Sequence, residues 1–270
     1  MDMSISSHFF EMKRERQPIT VLTAYDAPTA KAQAEAGIDL ILVGDSLGTN
    51  ILGYASEQDV TLADIVHHVR AVRRGAPETP ILADLPYASY DTTADAVANA
   101  RILIASGADM VKFEGARPDI VRALRDAKIP VSGHIGLEPQ HHAEKRLKGK
   151  TAEAADQLLA DALALDEAGI AMLILELIPE EVATRISKAI AAPTIGIGAG
   201  RETDGQVLVI TDVLGYTDAM FRHNRRFAEV GAAVRAAATT YVTDVRERRF
   251  PAESNVFAMP KATLAFSQST

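Results

Sequence analysis

The chain has 270 residues, 47% of them apolar, enough to bury a full core as one large α/β domain or two small ones. A net charge of −8 argues against a nucleic-acid protein, and the basic clusters Lys13-Arg14-Glu15-Arg16 and Arg246 to Arg249 are interrupted by acids and read as solvated faces. The absence of cysteine removes disulfides, thiolate zinc sites and thiol nucleophiles together. Residues 1–17 are polar and charged with no apolar signal core, and no apolar run approaches the ~20 residues of a membrane helix. The expectation is a soluble, cytoplasmic protein.

Ile19-Thr20-Val21-Leu22-Thr23 reads as a first, β-branched strand. Pro28 to Ala36 reads as a helix, with proline in its first turn and Gly37 past its end. Ile38 to Val43 is an apolar run of the kind buried on both faces, and it delivers Asp45 and Ser46 into a turn flanked by Gly44 and Gly48. Thr61 to Arg74 is an amphipathic helix with Leu62, Ile65, Val66, Val69 and Val72 on one face, Thr61 as N-cap and Asp64 three residues on. Pro80 opens a third strand ending in Asp84; Thr93 to Ser106 is helical; a fourth strand carries Lys112 and leads to Glu114. A helix over 118–127 and a fifth strand, Ile129 to Ile135, which contains His134, come next. Residues 138–150 form a polar, basic loop. A long helix over 151–168, a strand ending in Glu176, a helix from Pro179 to Ala191, a seventh strand over 193–197 and an eighth apolar stretch over 206–210 complete the alternation. Arg222 to Arg249 reads as helical, and a tail from about 250 to 270 holds Pro251 and Pro260.

One unit recurs: a helix-ending glycine, an apolar strand, then an acid, as in 107–114 and 169–176. Eight strand candidates alternate with helices and no linker-like composition divides them. This predicts a single domain over 1–270, a closed eight-stranded parallel (β/α) barrel. The weak point is 200–215, where no full helix fits between strands seven and eight. Barrel sites lie at the C-terminal ends of strands, so Asp45, Asp84, Glu114 and Glu176 are expected around one mouth.

Four unpaired carboxylates at one mouth repel one another, so either their pKa values rise or a cation sits among them. Any one of them taken singly reads as a structural or capping carboxylate. An oxygen-only donor set favours Mg²⁺ or Mn²⁺ over zinc. Lys112 and Glu114, two apart, share a face of their strand. Lys112 is then a counter-charge for a substrate carboxylate or an internal partner of Glu114; the acids around it argue against a Schiff-base role. His134 reads equally as a hydrogen-bonding site residue and as a satisfied structural histidine. Gly196-Ile197-Gly198-Ala199-Gly200 has arginine where the dinucleotide pattern needs its third glycine, and is a tight turn. Ser46 has no Ser-His-Asp partners, which argues against a nucleophilic role.

Thr23-Ala24-Tyr25-Asp26, Val43-Gly44-Asp45-Ser46-Leu47-Gly48, Ala83-Asp84-Leu85-Pro86, Val111-Lys112-Phe113-Glu114-Gly115, Gly133-His134-Ile135-Gly136-Leu137 with Pro139-Gln140, and Ile195 to Gly200 with Asp204-Gly205-Gln206 stand in this order over about 19–215. Together they resemble the ketopantoate (3-methyl-2-oxobutanoate) hydroxymethyltransferase family. The resemblance implies a barrel of the phosphoenolpyruvate/pyruvate superfamily, one Mg²⁺ per subunit, a homodecamer and the first committed step of pantothenate synthesis. In that step a hydroxymethyl group passes from 5,10-methylenetetrahydrofolate to 3-methyl-2-oxobutanoate, giving 2-dehydropantoate. By position it implies Asp45, Asp84 and Glu114 at the metal, Asp45, Ser46, Asp84 and Lys112 at the 2-oxo acid, and Glu176 as general base. Two stretches depart from the family's pattern: the loop after Pro139-Gln140, and Phe221 to Phe227, where the family has Pro-Lys-Phe. The altered loop keeps open a second reading, a Mg²⁺-dependent lyase or aldolase on another 2-oxo acid without folate.

Overall fold

The computed structural model of the chain describes residues 4–141, 146–217 and 221–259. The segments 1–3, 142–145, 218–220 and 260–270 lie outside it, and with them parts of the altered loop and of the tail. Eight strands close into an all-parallel barrel in chain order: β1 (Ile19–Thr23), β2 (Leu40–Val43), β3 (Ile81–Asp84), β4 (Met110–Lys112), β5 (Val131–Gly136), β6 (Met172–Glu176), β7 (Thr194–Ile197) and β8 (Gly205–Leu208). β8 pairs with both β7 and β1, so no edge is left open. The weak stretch before β8 resolves as the tight turn at 198–204, and a turn suffices because the helical ring need not be complete for the sheet to close.

Each helix is set by local chemistry that the sequence displays. α1 (Ser4–Arg14) precedes the barrel, and α2 (Ala27–Glu35) starts at Asp26, whose side chain accepts from the Thr29 amide. α3 (Leu62–Gly75) opens on a capping box in which Thr61 and Asp64 bond each other's backbone. α4 (Thr93–Ala105), α5 (Pro118–Asp126), α6 (Ala152–Ala168) and α7 (Glu180–Ala189) follow, with Thr92 and Thr151 capping α4 and α6. After β8 come a single short turn, α8 (Ile210–Val213), and α9 (Val230–Arg246). The expected helix over 222–249 therefore begins later. Residues 221–229 are irregular because their amides are spent elsewhere: Phe227 and Ala228 bond the Val213 carbonyl and Val230 that of Leu214.

Strand periodicity builds two cores. Ile41, Val43, Val111, Leu173 and Leu175 point outward against the helices. Ile19, Val21, Leu40, Leu42, Leu82, Met110, Met172, Ile174, Ile195 and Val207 point inward. The N-terminal segment is not merely polar. α1 turns Phe9 and Met12, three residues apart and fully buried, onto the base of that inner core. Lys13 fastens this plug: its ammonium donates to the carbonyls of Ser187, Ile190 and Ala192 at 2.9, 3.1 and 2.9 Å and lies 3.0 Å from Asp204.

If α1 is a structural plug, Phe9→Ala should lower stability by about 3–5 kcal/mol, the cost of emptying an aromatic core site, while His8→Ala, on the exposed neighbour, should change little. Urea midpoints for the two variants decide this; equal midpoints would remove α1 from the core.

Candidate functional site

Each inward column is apolar at the base and titratable at the top. Leu82 is followed by Asp84, Met110 by Lys112 and Glu114, Ser132 by His134, and Met172 and Ile174 by Glu176. Asp45 and Ser46 follow β2 by a turn through Gly44, where a side chain would crowd Ser46 Oγ at 3.2 Å and Asp84 Oδ2 at 3.4 Å. All of the acids expected at the mouth, with Ser46, Lys112 and His134, line one cavity of about 260 Å³ at the C-terminal ends of the strands.

The register Asp84↔Lys112 places the one buried ammonium among the described residues of this cavity beside Asp84, with Nζ 3.1 Å from Oδ1. Lys112 therefore pairs with Asp84 and not, as its spacing suggested, with Glu114. Burial alone would lower the Lys112 pKa, but Asp84, Glu114 and Asp45 outweigh it and hold the ammonium protonated. Burial pushes Asp84 up to about 7 and Glu114 up to about 9, against the pull of Lys112. His134 is shifted down by burial and then by the Lys112 charge, so its ring is neutral. Lys112 Nζ lies 3.4 Å from His134 Nδ1, which makes Nδ1 the acceptor and leaves the ring proton on Nε2. That atom lies 3.3 Å from Glu176 Oε2 but off the hydrogen-bonding line.

Several residues that position the acids stand in the family-like motifs, but the sequence alone assigns them no role. Gln140, fully buried, is the hub. Its Nε2 donates to Asp45 Oδ2 at 2.7 Å and to the Leu85 carbonyl at 3.1 Å, its amide donates to Glu114 Oε2 at 2.9 Å, its Oε1 accepts from the Tyr90 hydroxyl, and its carbonyl accepts from Gln58 at 2.7 Å. Tyr25 shares a 2.8 Å hydrogen bond with Ser46 Oγ, and its carbonyl meets His68 Nδ1 at 2.6 Å. The backbone around Glu176 is equally constrained. Leu177 holds φ +45°, which is costly for a leucine, and Gly136 at φ +107° lies so close to the Glu176 carbonyl that an added Cβ would sit 2.2 Å from it.

Among the described residues no three His, Asp or Glu side chains enclose a metal ion on their own. The donor chemistry nevertheless suits a hard cation that keeps water or substrate oxygens as ligands. In each of three carboxylates one oxygen is held by a protein donor: Asp45 by Gln140, Asp84 by the Asp45 amide at 3.0 Å, Glu114 by the Gln140 amide. The other Asp84 oxygen is buried without a geometrically aligned hydrogen bond and lies 3.1 Å from the Lys112 ammonium. Such an arrangement can bind a cation together with a chelating anion, with Lys112 completing the charge balance.

A family model described as ketopantoate hydroxymethyltransferase matches residues 4–253. A 3-methyl-2-oxobutanoate hydroxymethyltransferase of Geobacillus sp. (strain WCH70) is 46% identical over 265 residues, covering 95% of each chain. One of Edwardsiella ictaluri (strain 93-146) is 46% identical over 257 residues, covering 93% of this chain and 97% of that protein. In fold, the chain is similar to 2,3-dimethylmalate lyase, a member of the PEP mutase/isocitrate lyase superfamily, with a TM-score of 0.61, 16% identity, and coverage of 96% and 93%.

The raised Glu114 carboxyl gives a stability test with a definite sign. Stability held by a carboxyl whose folded pKa exceeds its ordinary 4.5 is intact below that value and drains away as pH climbs towards about 9. Glu114→Gln, neutral throughout, should melt above the parent protein at pH 8 in EDTA, by about 2–4 °C for a difference on the order of 1 kcal/mol. The gap should close as pH falls to 5. Scanning calorimetry at the two pH values measures it, and a gap that is constant with pH would mean that Glu114 ionises normally.

Proposed function

The chain belongs to the ketopantoate hydroxymethyltransferase family and is a hydroxymethyltransferase of 3-methyl-2-oxobutanoate; we propose that it takes the one-carbon unit from 5,10-methylenetetrahydrofolate, in the cavity ringed by Asp45, Asp84, Lys112, Glu114 and Glu176. The product is 2-dehydropantoate, and the step commits carbon to pantothenate. The observation that carries the reading is the single buried ammonium set among four carboxylates on the wall of one cavity.

Asp45 and Asp84 are the residues to hold one Mg²⁺ per subunit, with Glu114 beside them. Bound there, Mg²⁺ supplies Lewis-acid stabilisation of negative charge building on the keto oxygen. Lys112 stays protonated and faces the substrate carboxylate. Ser46, held by Tyr25, gives that end of the substrate a hydroxyl. Asp45 and Asp84 keep their orientation through Gln140 and the Asp45 amide, so ligand geometry does not have to be rebuilt in each turnover. Glu176 removes the C3 proton: its side chain is 16% exposed, against 2% for Asp84 and 1% for Glu114, so of these three acids it has the readiest access to a substrate entering from the mouth. His134, with its proton on Nε2, steadies the carboxylate of Glu176. Loss of the proton leaves C3 nucleophilic towards the one-carbon unit.

Family membership also supports a homodecamer in the cytoplasm. Among the described residues no helix is long and apolar enough to cross a membrane. α9 buries only Gly231 within its own chain and exposes Val234, Tyr241, Val242 and Val245, which suits contact with other subunits. Light scattering should return a mass near ten times the 28.9 kDa of one chain; a well-behaved monomer at micromolar concentration would overturn the assembly.

Two measurements test the site. Calorimetry should show 3-methyl-2-oxobutanoate binding with Mg²⁺ and losing affinity in EDTA; an Asp84→Ala variant with undiminished metal dependence would take Asp84 out of the metal site. Proton removal precedes carbon transfer, so the protein with Mg²⁺ should exchange the C3 proton for deuterium without folate. Glu176→Gln should lose that exchange by on the order of 10²–10⁴ while still binding the 2-oxo acid. Undiminished exchange would transfer the base role to another group, His134 first.

A further inference from the structure

The segment 221–229 has no part in the 2-oxo acid chemistry, yet it is built onto the mouth. Asn224 Nδ2 donates to Asp212 at 2.6 Å and Arg226 donates to the Thr217 carbonyl at 2.7 Å; with the amides of Phe227, Ala228 and Val230 on Val213 and Leu214, these bonds fix the segment to α8. Phe221 reaches the cavity wall while remaining 45% exposed. His223 stacks near-parallel to it, with ring centroids 5.8 Å apart and planes 14° apart. The cavity is divided in character. Asp45, Asp84, Lys112 and Glu114 cluster on the side built by β2 to β4, whereas Ile174, Ile197, Val207 and Val209 with Phe221 give the side built by β6 to β8 an apolar surface, interrupted by Glu176 and Asp212. Among the described residues that line it, Lys112 is the one Lys or Arg, and it is committed to Asp84. The same segment carries two exposed positive charges, Arg222 and Arg225, the latter with its guanidinium 5.0 Å from the Phe227 ring.

We propose that this segment is the seat of the folate co-substrate: Phe221, backed by His223, stacks on the flat ring system of the folate, and Arg222 and Arg225 meet the carboxylates of its glutamyl tail. The proposal rests on the folate reading given above. The chemistry matches at both ends of the ligand. A planar, weakly polar bicycle suits an apolar wall with a half-exposed ring. A chain of carboxylates in an otherwise acidic mouth needs a cationic rim, and guanidinium groups pair with carboxylates in a forked geometry. A ring held against the β6 to β8 wall also stands next to Glu176 on β6, the side from which C3 is deprotonated.

Calorimetry with tetrahydrofolate and its triglutamyl form, beside the folate-independent C3 exchange, tests it. Phe221→Ala should weaken both folates by about fivefold to tenfold, and Phe221→Tyr should restore them. The double variant Arg222→Ala/Arg225→Ala should weaken the triglutamate by roughly threefold to fivefold more than the monoglutamate, an effect erased by salt. The exchange rate should stay within about threefold in all of them, since the folate half of the site is not engaged. Tight folate binding by the parent protein with no loss in Phe221→Ala, or equal losses of the two folates in the arginine variant, overturns the seat alone. A parent protein that exchanges the C3 proton but binds neither folate overturns the folate reading and the seat together.

Discussion

One ammonium shared among buried carboxylates is the constraint from which the rest of the site follows. Lys112 reaches Asp84 directly, yet Asp45, Glu114 and Glu176 face the same cavity. A buried cation can offset one such charge well; the surplus must be relieved by protonation, by hydrogen bonds or by a further cation. All three routes fit this chain. Glu114 is driven towards its neutral form, Gln140 and the Asp45 amide each take up carboxylate oxygens, and the remaining oxygens suit a divalent ion arriving with an anionic substrate.

That crowding of charge is tolerable because the barrel is rigid beneath it. The inward residues below the titratable layer are a continuous apolar stack, closed at the base by Phe9 and Met12 and fastened by Lys13. The period of two along each strand does both jobs at once, sending alternate residues to the helix-facing core and the others into the column that ends in an acid. Stabilising contacts lie at the base and outside, while costly groups lie at the top. The φ of Leu177 belongs to the same pattern, a local cost next to a functional carboxylate that the surrounding register over-determines.

Much of this was legible in the sequence because strand ends and helix caps are local. Ile19 to Thr23, the Thr61–Asp64 box and the acid after each glycine-strand unit follow from neighbours within a few positions. What was not legible depends on register or on long-range bonding. The partner of Lys112 is decided by which residue of β3 lies opposite it, so spacing along the chain could offer Glu114 as an internal partner but could not reveal Asp84. Gln140 stands in a family-like motif, but nothing local shows that five hydrogen bonds converge on it. Phe9 and Met12 are two apolar residues in a charged segment, too few for a periodic signal, and the amides at 227–230 leave the helical pattern only because Val213 and Leu214 offer them carbonyls.

The contrast among the carboxylates carries the functional division. Asp84 and Glu114 are almost wholly buried and gain by meeting a cation or a proton, which suits ligands and disqualifies them as bases acting on free substrate. Glu176 stands at the end of β6, partly exposed, with Nε2 of a neutral imidazole 3.3 Å from its carboxylate. A base needs access and an ionised resting state; a metal ligand needs enclosure and a fixed lone pair. On the proposed roles, one residue type meets both needs because the strand ends differ in exposure, with Asp84 and Glu114 buried and Glu176 partly exposed. Depth in the barrel, set by strand length and register, is thus the physical basis of the proposed division of roles.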